Sequence, residues 1–84
     1  MFEKYKNEVV KFTGYYKYTF TFMTTLQNGN TLVAQVGGCA DSIYTLAVSS
    51  DMMASVNTLQ PYRLIEISDG EIVDTWEEEE NFDE

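Results

Sequence analysis

Histidine is absent from this chain, and cysteine occurs once, at Cys39. The first absence removes the usual general base, the Ser-His and Cys-His nucleophile pairs and the commonest transition-metal ligand. The second excludes an intrachain disulfide and any cysteine-based zinc site. Cations are scarce as well: five Lys and Arg stand against 14 Asp and Glu, for a net charge of −9. No apolar run approaches the roughly 20 residues of a membrane span, and the first residues lack a signal-peptide core. The expected location is therefore cytoplasmic, the host cytoplasm if the chain is phage-encoded. Eighty-four residues suffice for one small domain, which buries roughly 60–65% of its unfolded surface. Aromatic residues, by contrast, are plentiful at 14%, within a hydrophobic share of 44%. That composition argues against full-length disorder.

The charge is unevenly placed. Residues 1–17 carry a net +2, residues 18–65 a net −1, and residues 66–84 a net −10 with no cation. Such a run repels itself, disfavours direct binding to nucleic acid or an anionic membrane, and attracts a basic protein surface. Its bland counterpart is a solvated tail that keeps the protein soluble.

Hydropathy patterning gives an α+β expectation. Phe2, Tyr5, Val9 and Phe12 recur at helical spacing and favour an N-terminal helix over 2–12. The β-branched pair Val9-Val10 leaves a strand from Glu8 as the alternative, and with it a small β-barrel. Residues 15–26 alternate, with Tyr16, Tyr18, Phe20, Phe22 and Leu26 on one face. A turn at Asn28-Gly29-Asn30 leads into a return strand over 31–37. A three-residue loop at 28–30 pairs Leu26 with Leu32, Thr24 with Ala34 and Phe22 with Val36, keeping the apolar face intact; it needs a residue of positive φ. Ile43–Ser49 reads as a third strand. Ser49-Ser50-Asp51 offers helix N-cap chemistry ahead of Met52, Val56 and Leu59, a short helix ended by Pro61. Tyr62–Ile67 and Ile72–Trp76 form a terminal hairpin about Asp69-Gly70. The sum is a single domain over 1–76, a roughly five-stranded antiparallel sheet with an N-terminal helix and one short helix. An acidic tail, 77–84, is expected to be mobile unless bound.

No motif carries chemistry. The acids crowd the terminal hairpin and tail, where solvation keeps ordinary pKa values that suit neither acid nor nucleophile. Cys39 lies beside Asp41 rather than cations, so it reads as a small inert residue. Gly37-Gly38 lacks the Lys and Ser/Thr of a phosphate loop, and Asp69-Gly70-Glu71 lacks the ligand series of a calcium loop. No catalytic residue, cofactor or metal is expected. Tyr15, Tyr16, Lys17 and Tyr18 faintly imitate a base-stacking platform, but core packing is the more economical use of this strand. Met52 and Met53 suit either a core or an adaptable contact surface. Trp76 stands just before the glutamates, as an interface anchor or as packing on the sheet edge.

Leu32-Val33, a strand ending at Ser50-Asp51, then Pro61-Tyr62, Leu64-Ile65 and the turn Ser68-Asp69-Gly70-Glu71 follow one another in an order and approximate spacing that resemble the phage uracil-DNA glycosylase inhibitor family. The resemblance spans Thr31 to Glu71 and departs in the first half. That family carries an acidic edge strand with a Glu-Ser-Ile signature, whereas Tyr16–Thr25 holds no acid and Asp41-Ser42-Ile43 stands elsewhere. What the resemblance implies is a mode: an acidic sheet that mimics the DNA backbone and blocks a nucleic-acid-processing protein in its basic cleft. The residues expected to meet such a partner are Glu66, Asp69, Glu71, Asp74, Trp76, Glu77, Glu78, Glu79 and Glu80. The alternative is a structural module that self-associates as a homo-oligomer through its sheet edge or the apolar face of residues 15–26.

Overall fold

A computed structural model describes residues 2–16, 19–37 and 53–78. Among them the elements are a 3-10 turn at Phe2–Lys4, strands β1 (Val9–Tyr16), β2 (Thr19–Thr25), β3 (Thr31–Gly37) and β4 (Met53–Ser55), the one-turn helix α1 (Val56–Leu59), and strands β5 (Arg63–Ser68) and β6 (Glu71–Glu77). All pairings are antiparallel, in a six-stranded sheet of order β4-β1-β2-β3-β5-β6. Among the described residues the sheet is open, with β4 and β6 at its edges, rather than closed into the alternative barrel.

Four expectations need correction, the fourth being the β2–β3 register: Leu26–Leu32, Thr24–Ala34 and Phe22–Val36 are not the pairs formed. The sheet has six strands rather than five. The N-terminal helix reduces to the 3-10 turn, and Val9–Tyr16 is a strand instead. Its side chains alternate: Val10 is fully buried while Val9 is half exposed, and two successive β-branched residues fit a pleated strand better than a helix. The short helix starts at Val56, not after Asp51. Ser55 is its N-cap, its Oγ accepting the Thr58 N–H at 3.3 Å. Met53 lies in β4. Met52, Cys39, the Asp41-Ser42-Ile43 triplet and the strand expected over Ile43–Ser49 lie outside the described residues.

The β2–β3 hairpin keeps the expected face but shifts the loop by one residue. Thr24 pairs with Leu32, Phe22 with Ala34 and Phe20 with Val36. The Leu26 N–H donates to Asn30 O at 2.8 Å, which leaves 27–29 as the three-residue loop. Gly29 supplies the positive φ, +91°. The Asn28 side chain accepts the Asn30 N–H at 2.9 Å, an Asx turn that pulls the loop toward β2. The terminal hairpin turns on Asp69 and Gly70, with φ of +53° and +79°, the two left-handed residues of a two-residue hairpin loop. A bulge follows. Ile67 faces Ile72 but Glu66 faces Asp74, so β6 carries one extra residue, and both Ile72 and Val73 end up exposed.

The core lies on one face. The row Phe12–Phe22–Ala34–Leu64–Trp76 crosses five strands in register, with the Phe12 ring edge-on to Phe22 at 5.5 Å. Phe20, Phe22, Leu32, Ala34, Val10 and Val56 are fully buried, and Tyr5 closes over them from the N-terminal turn. The start of α1 is tied to that turn: Val56 and Asn57 donate their N–H groups to the carbonyls of Glu8 (2.9 Å) and Lys6 (3.0 Å). Together with the Ser55 cap these bonds satisfy three of the four donors that a helix leaves without partners at its start. Within the apolar face expected over residues 15–26, Phe20 and Phe22 are fully buried in the core.

Candidate functional site

The terminal hairpin and the residue after it hold the described acids expected to meet a partner, and the fold sorts them into two groups. Glu66 lies on the inner face of β5, between Leu32 on β3 and Asp74 on β6, and is only 6% exposed. Its carboxylate is held by the Tyr5 hydroxyl, by Asn30 Nδ2 at 2.7 Å and by Asn28 Nδ2 at 3.2 Å. Lys4 stands 4.0 Å from Glu66 and 3.2 Å from Asp74. The donated hydrogen bonds, that of Tyr5 foremost, outweigh the penalty of burial and hold the Glu66 carboxyl down to about 2. Burial and this neighbouring charge push the Tyr5 phenol upward. An ordinary, solvated carboxyl was the expectation at Glu66, and it fails because strand alternation turns this residue inward beside Leu64. The cluster joins the N-terminal turn, the β2–β3 loop and both strands of the terminal hairpin. These bonds fasten the fold, while Lys4, Tyr5, Asn28 and Glu66 also line an open pocket of about 250 Å³. Among the described residues no buried side-chain polar atom lacks a hydrogen bond.

The second group faces solvent along the edge. Asp69, Glu71, Glu77 and Glu78 are exposed, and Asp74 is half-buried beside Lys4. Glu77 pairs with Arg63, with Oε2 2.6 Å from one guanidinium nitrogen and 2.9 Å from Nε. Asp69, Glu71 and Glu78 form no ion pair with a described residue. At roughly 3.3 Å per strand residue, β6 strings its acids from Glu71 to Glu77 along about 20 Å of edge. Glu79 and Glu80 lie outside the described residues.

Trp76 is half-buried at the end of the inner row and packs against the core. Past its ring the chain stays anchored, because the Glu78 N–H donates to Tyr62 O at 2.9 Å and the Tyr62 N–H donates to Gln35 O at 2.9 Å. Between this anchored end of β6 and the end of α1 runs an open groove of about 460 Å³, lined by Asn57, Gln60, Pro61, Trp76 and Glu78. The composition of the hairpin pointed to its edge acids; nothing in the pattern pointed to the groove, which arises where two elements distant in sequence meet.

The outer face of the sheet has its own pattern. Met53, Lys11, Met23, Val33, Ile65 and Thr75 form one row across all six strands. Met53 is 61% exposed, and Val9, Met23, Ile72 and Val73 are exposed too. Among the described residues there is no cluster of three or more His, Cys, Asp or Glu able to hold a metal ion, and no helix is long and apolar enough to cross a membrane. Comparison with protein-family models, with curated proteins and with solved structures finds no match to this chain.

Proposed function

We propose that this chain is a small acidic inhibitor, acting without catalysis, that lays its C-terminal hairpin in the positively charged cleft of a nucleic-acid-processing protein, in the manner of a DNA mimic of the anti-defence or anti-repair type. One observation supports this reading: the exposed acids gather along β6, an edge of the sheet among the described residues. A free edge strand can enter a cleft, and its charge discourages pairing with a second copy of itself. Asp69, Glu71, Glu77 and Glu78 meet the partner's cations, joined in the sequence by Glu79 and Glu80. Asp74 and Glu66 support the hairpin from behind. Charge steers the encounter, while the half-buried Trp76 supplies lasting contact.

Affinity capture from host lysate, with bound proteins identified by mass spectrometry, tests this. The expected outcome is a nucleic-acid-binding enzyme retained at low salt, lost at high salt, and lost when Glu77, Glu78, Glu79 and Glu80 are all changed to Gln. Retention that is unaffected by salt and by the four substitutions would overturn it.

The outer-face row from Met53 to Ile65 favours a second reading, a structural module that self-associates through its sheet. Sedimentation velocity distinguishes the two. A mass that grows with concentration and reverts to the monomer in Met23→Lys would favour assembly.

A further inference from the structure

We infer that Asn28 is a site of self-modification in the folded protein: the Gly29 main-chain nitrogen displaces the Asn28 side-chain amide as ammonia, and the carboxylate that results unfastens the β2–β3 loop from Glu66. Asn28 alone among the asparagines is followed by glycine; the others precede Glu8, Thr31, Thr58 and Phe82. The attack closes a cyclic imide across two adjacent residues, and a side chain on the second residue obstructs it. Glycine has none, and no atom lies within 4 Å of where a Cβ would stand on Gly29. Both residues are exposed, so water reaches them.

Two hydrogen bonds in the loop act on this reaction in opposite senses. The Asn28 side-chain oxygen accepts the Asn30 N–H at 2.9 Å. That oxygen gathers negative charge as a nitrogen adds to the side-chain carbon, and a fixed N–H stabilises such charge, as oxyanion donors do in acyl transfer. Against it, the Gly29 N–H is given to Leu26 O at 2.9 Å, so attack waits on the opening of this bond. Opening one bond in an exposed loop requires no global unfolding.

The atoms balance with water as the only co-reactant. Gly29 N loses its proton to solvent and bonds to Asn28 Cγ. The bond from Cγ to Nδ2 breaks, and Nδ2 takes a proton from solvent and leaves as ammonia. Water then opens the imide at one of its two carbonyl carbons. One opening gives aspartate on the original main chain. The other gives isoaspartate, with the main chain rerouted through the former side chain.

The product reverses one contact. Asn28 Nδ2 donates to Glu66 Oε2 at 3.2 Å. A carboxylate has no proton to give, and it meets the buried, ionised Glu66 as a like charge. The Asn30 N–H still finds an oxygen in the aspartate form, so the turn itself survives. What goes is the tie from Asn28 to Glu66, which leaves Tyr5 and Asn30 as side-chain donors to that carboxylate. No step involves a partner, so the outcome does not depend on what the chain binds.

The full chain would be incubated in mildly alkaline buffer, and peptide mapping by mass spectrometry would follow each asparagine. The expected result is first-order conversion of Asn28 to aspartate and isoaspartate, ahead of Asn7, Asn30 and Asn57. Gly29→Ala should slow it. Urea below the unfolding transition should leave the rate unchanged, whereas a route through global unfolding would quicken steeply with urea. Asn28→Asp carries the product from the start. It should move the amide signals of Leu26 and Asn30 and the carboxyl signal of Glu66, and raise the unfolding constant about tenfold, the size of one hydrogen bond to a charged group. Asn28→Ser removes the amide without adding charge and should raise it less. Unmoved backbone signals along β6 would show that each variant is folded. No conversion, faster conversion at another asparagine, a rate that climbs with urea, or an unmoved Glu66 signal in Asn28→Asp would overturn the inference.

Discussion

Glu66 is the residue on which the fold turns its acidity to structural use. A carboxylate removed from water is tolerated only when hydrogen bonds replace the lost solvation, and here one hydroxyl and two side-chain amides do so. Its carboxyl is held below its ordinary value of 4.5, at about 2. A lowered folded-state value means that the stabilisation is complete above the unfolded value and disappears as pH falls through the folded one. Glu66 should thus lend stability fully above pH 4.5 and lose it between there and about 2. Tyr5→Phe removes the foremost donor. It should raise the Glu66 carboxyl and lower stability at neutral pH by about 1–3 kcal/mol, the usual penalty for an under-bonded buried group. The deficit should shrink as pH falls toward about 2, where Glu66 becomes protonated and no longer needs the bond. Urea unfolding as a function of pH, alongside carbon-13 titration of the carboxyl, checks both statements. The alternation of β5 made the inward position of residue 66 visible in principle, since it shares a face with Leu64. Ile65 and Ile67 made the opposite face apolar as well, so the pattern alone could not say which side was the core. The roles of Asn28 and Asn30 as donors to Glu66 were hidden, because a turn explains both asparagines equally well.

At the scale of elements, the two hairpins were legible because turn chemistry and strand alternation agree at each. Asn28-Gly29 and Asp69-Gly70 both place glycine where φ is positive. Nothing lies within 4 Å of where a Cβ would stand at either glycine, so an alanine there meets backbone strain and no clash. Gly29→Ala and Gly70→Ala should each lower stability by about 1 kcal/mol, a drop of about 4–8 °C in thermal midpoint for a domain of this size. A loss several times larger in calorimetry would mean that the hairpin itself rearranges. The first strand was illegible for a different reason. Phe2, Tyr5, Val9 and Phe12 imitate a helical stripe, but Tyr5 directly follows the 3-10 turn while Val10 and Phe12 pack toward the core from a strand, so two short periodicities add up to a false long one. The start of α1 was misplaced because Ser49-Ser50-Asp51 carries the same capping chemistry as Ser55, and only tertiary bonds to Lys6 and Glu8 distinguish the true cap. Ser55→Ala should cost about 0.5–2 kcal/mol, read by the same thermal unfolding.

For the whole molecule, the charge that suits a basic partner works against the isolated fold. The pairs Lys4–Asp74 and Arg63–Glu77 are surface contacts worth little, whereas the acids of the hairpin and tail repel one another at every pH where they are ionised. Added salt weakens both effects, and with a net charge of −9 the relief of repulsion should dominate. The thermal midpoint should climb between 10 mM and 500 mM salt, over which the screening length falls from about 30 Å to about 4 Å. Changing Glu77, Glu78, Glu79 and Glu80 to Gln should raise the midpoint at low salt and flatten this climb. The same variant is the one expected to lose its captured enzyme. The two measurements together separate a binding surface from a solubility tail. Acids that merely keep the chain dissolved would leave partner capture intact when neutralised, whereas acids held against their own repulsion in order to meet a cationic cleft would give up binding in the same step in which the free protein becomes more stable.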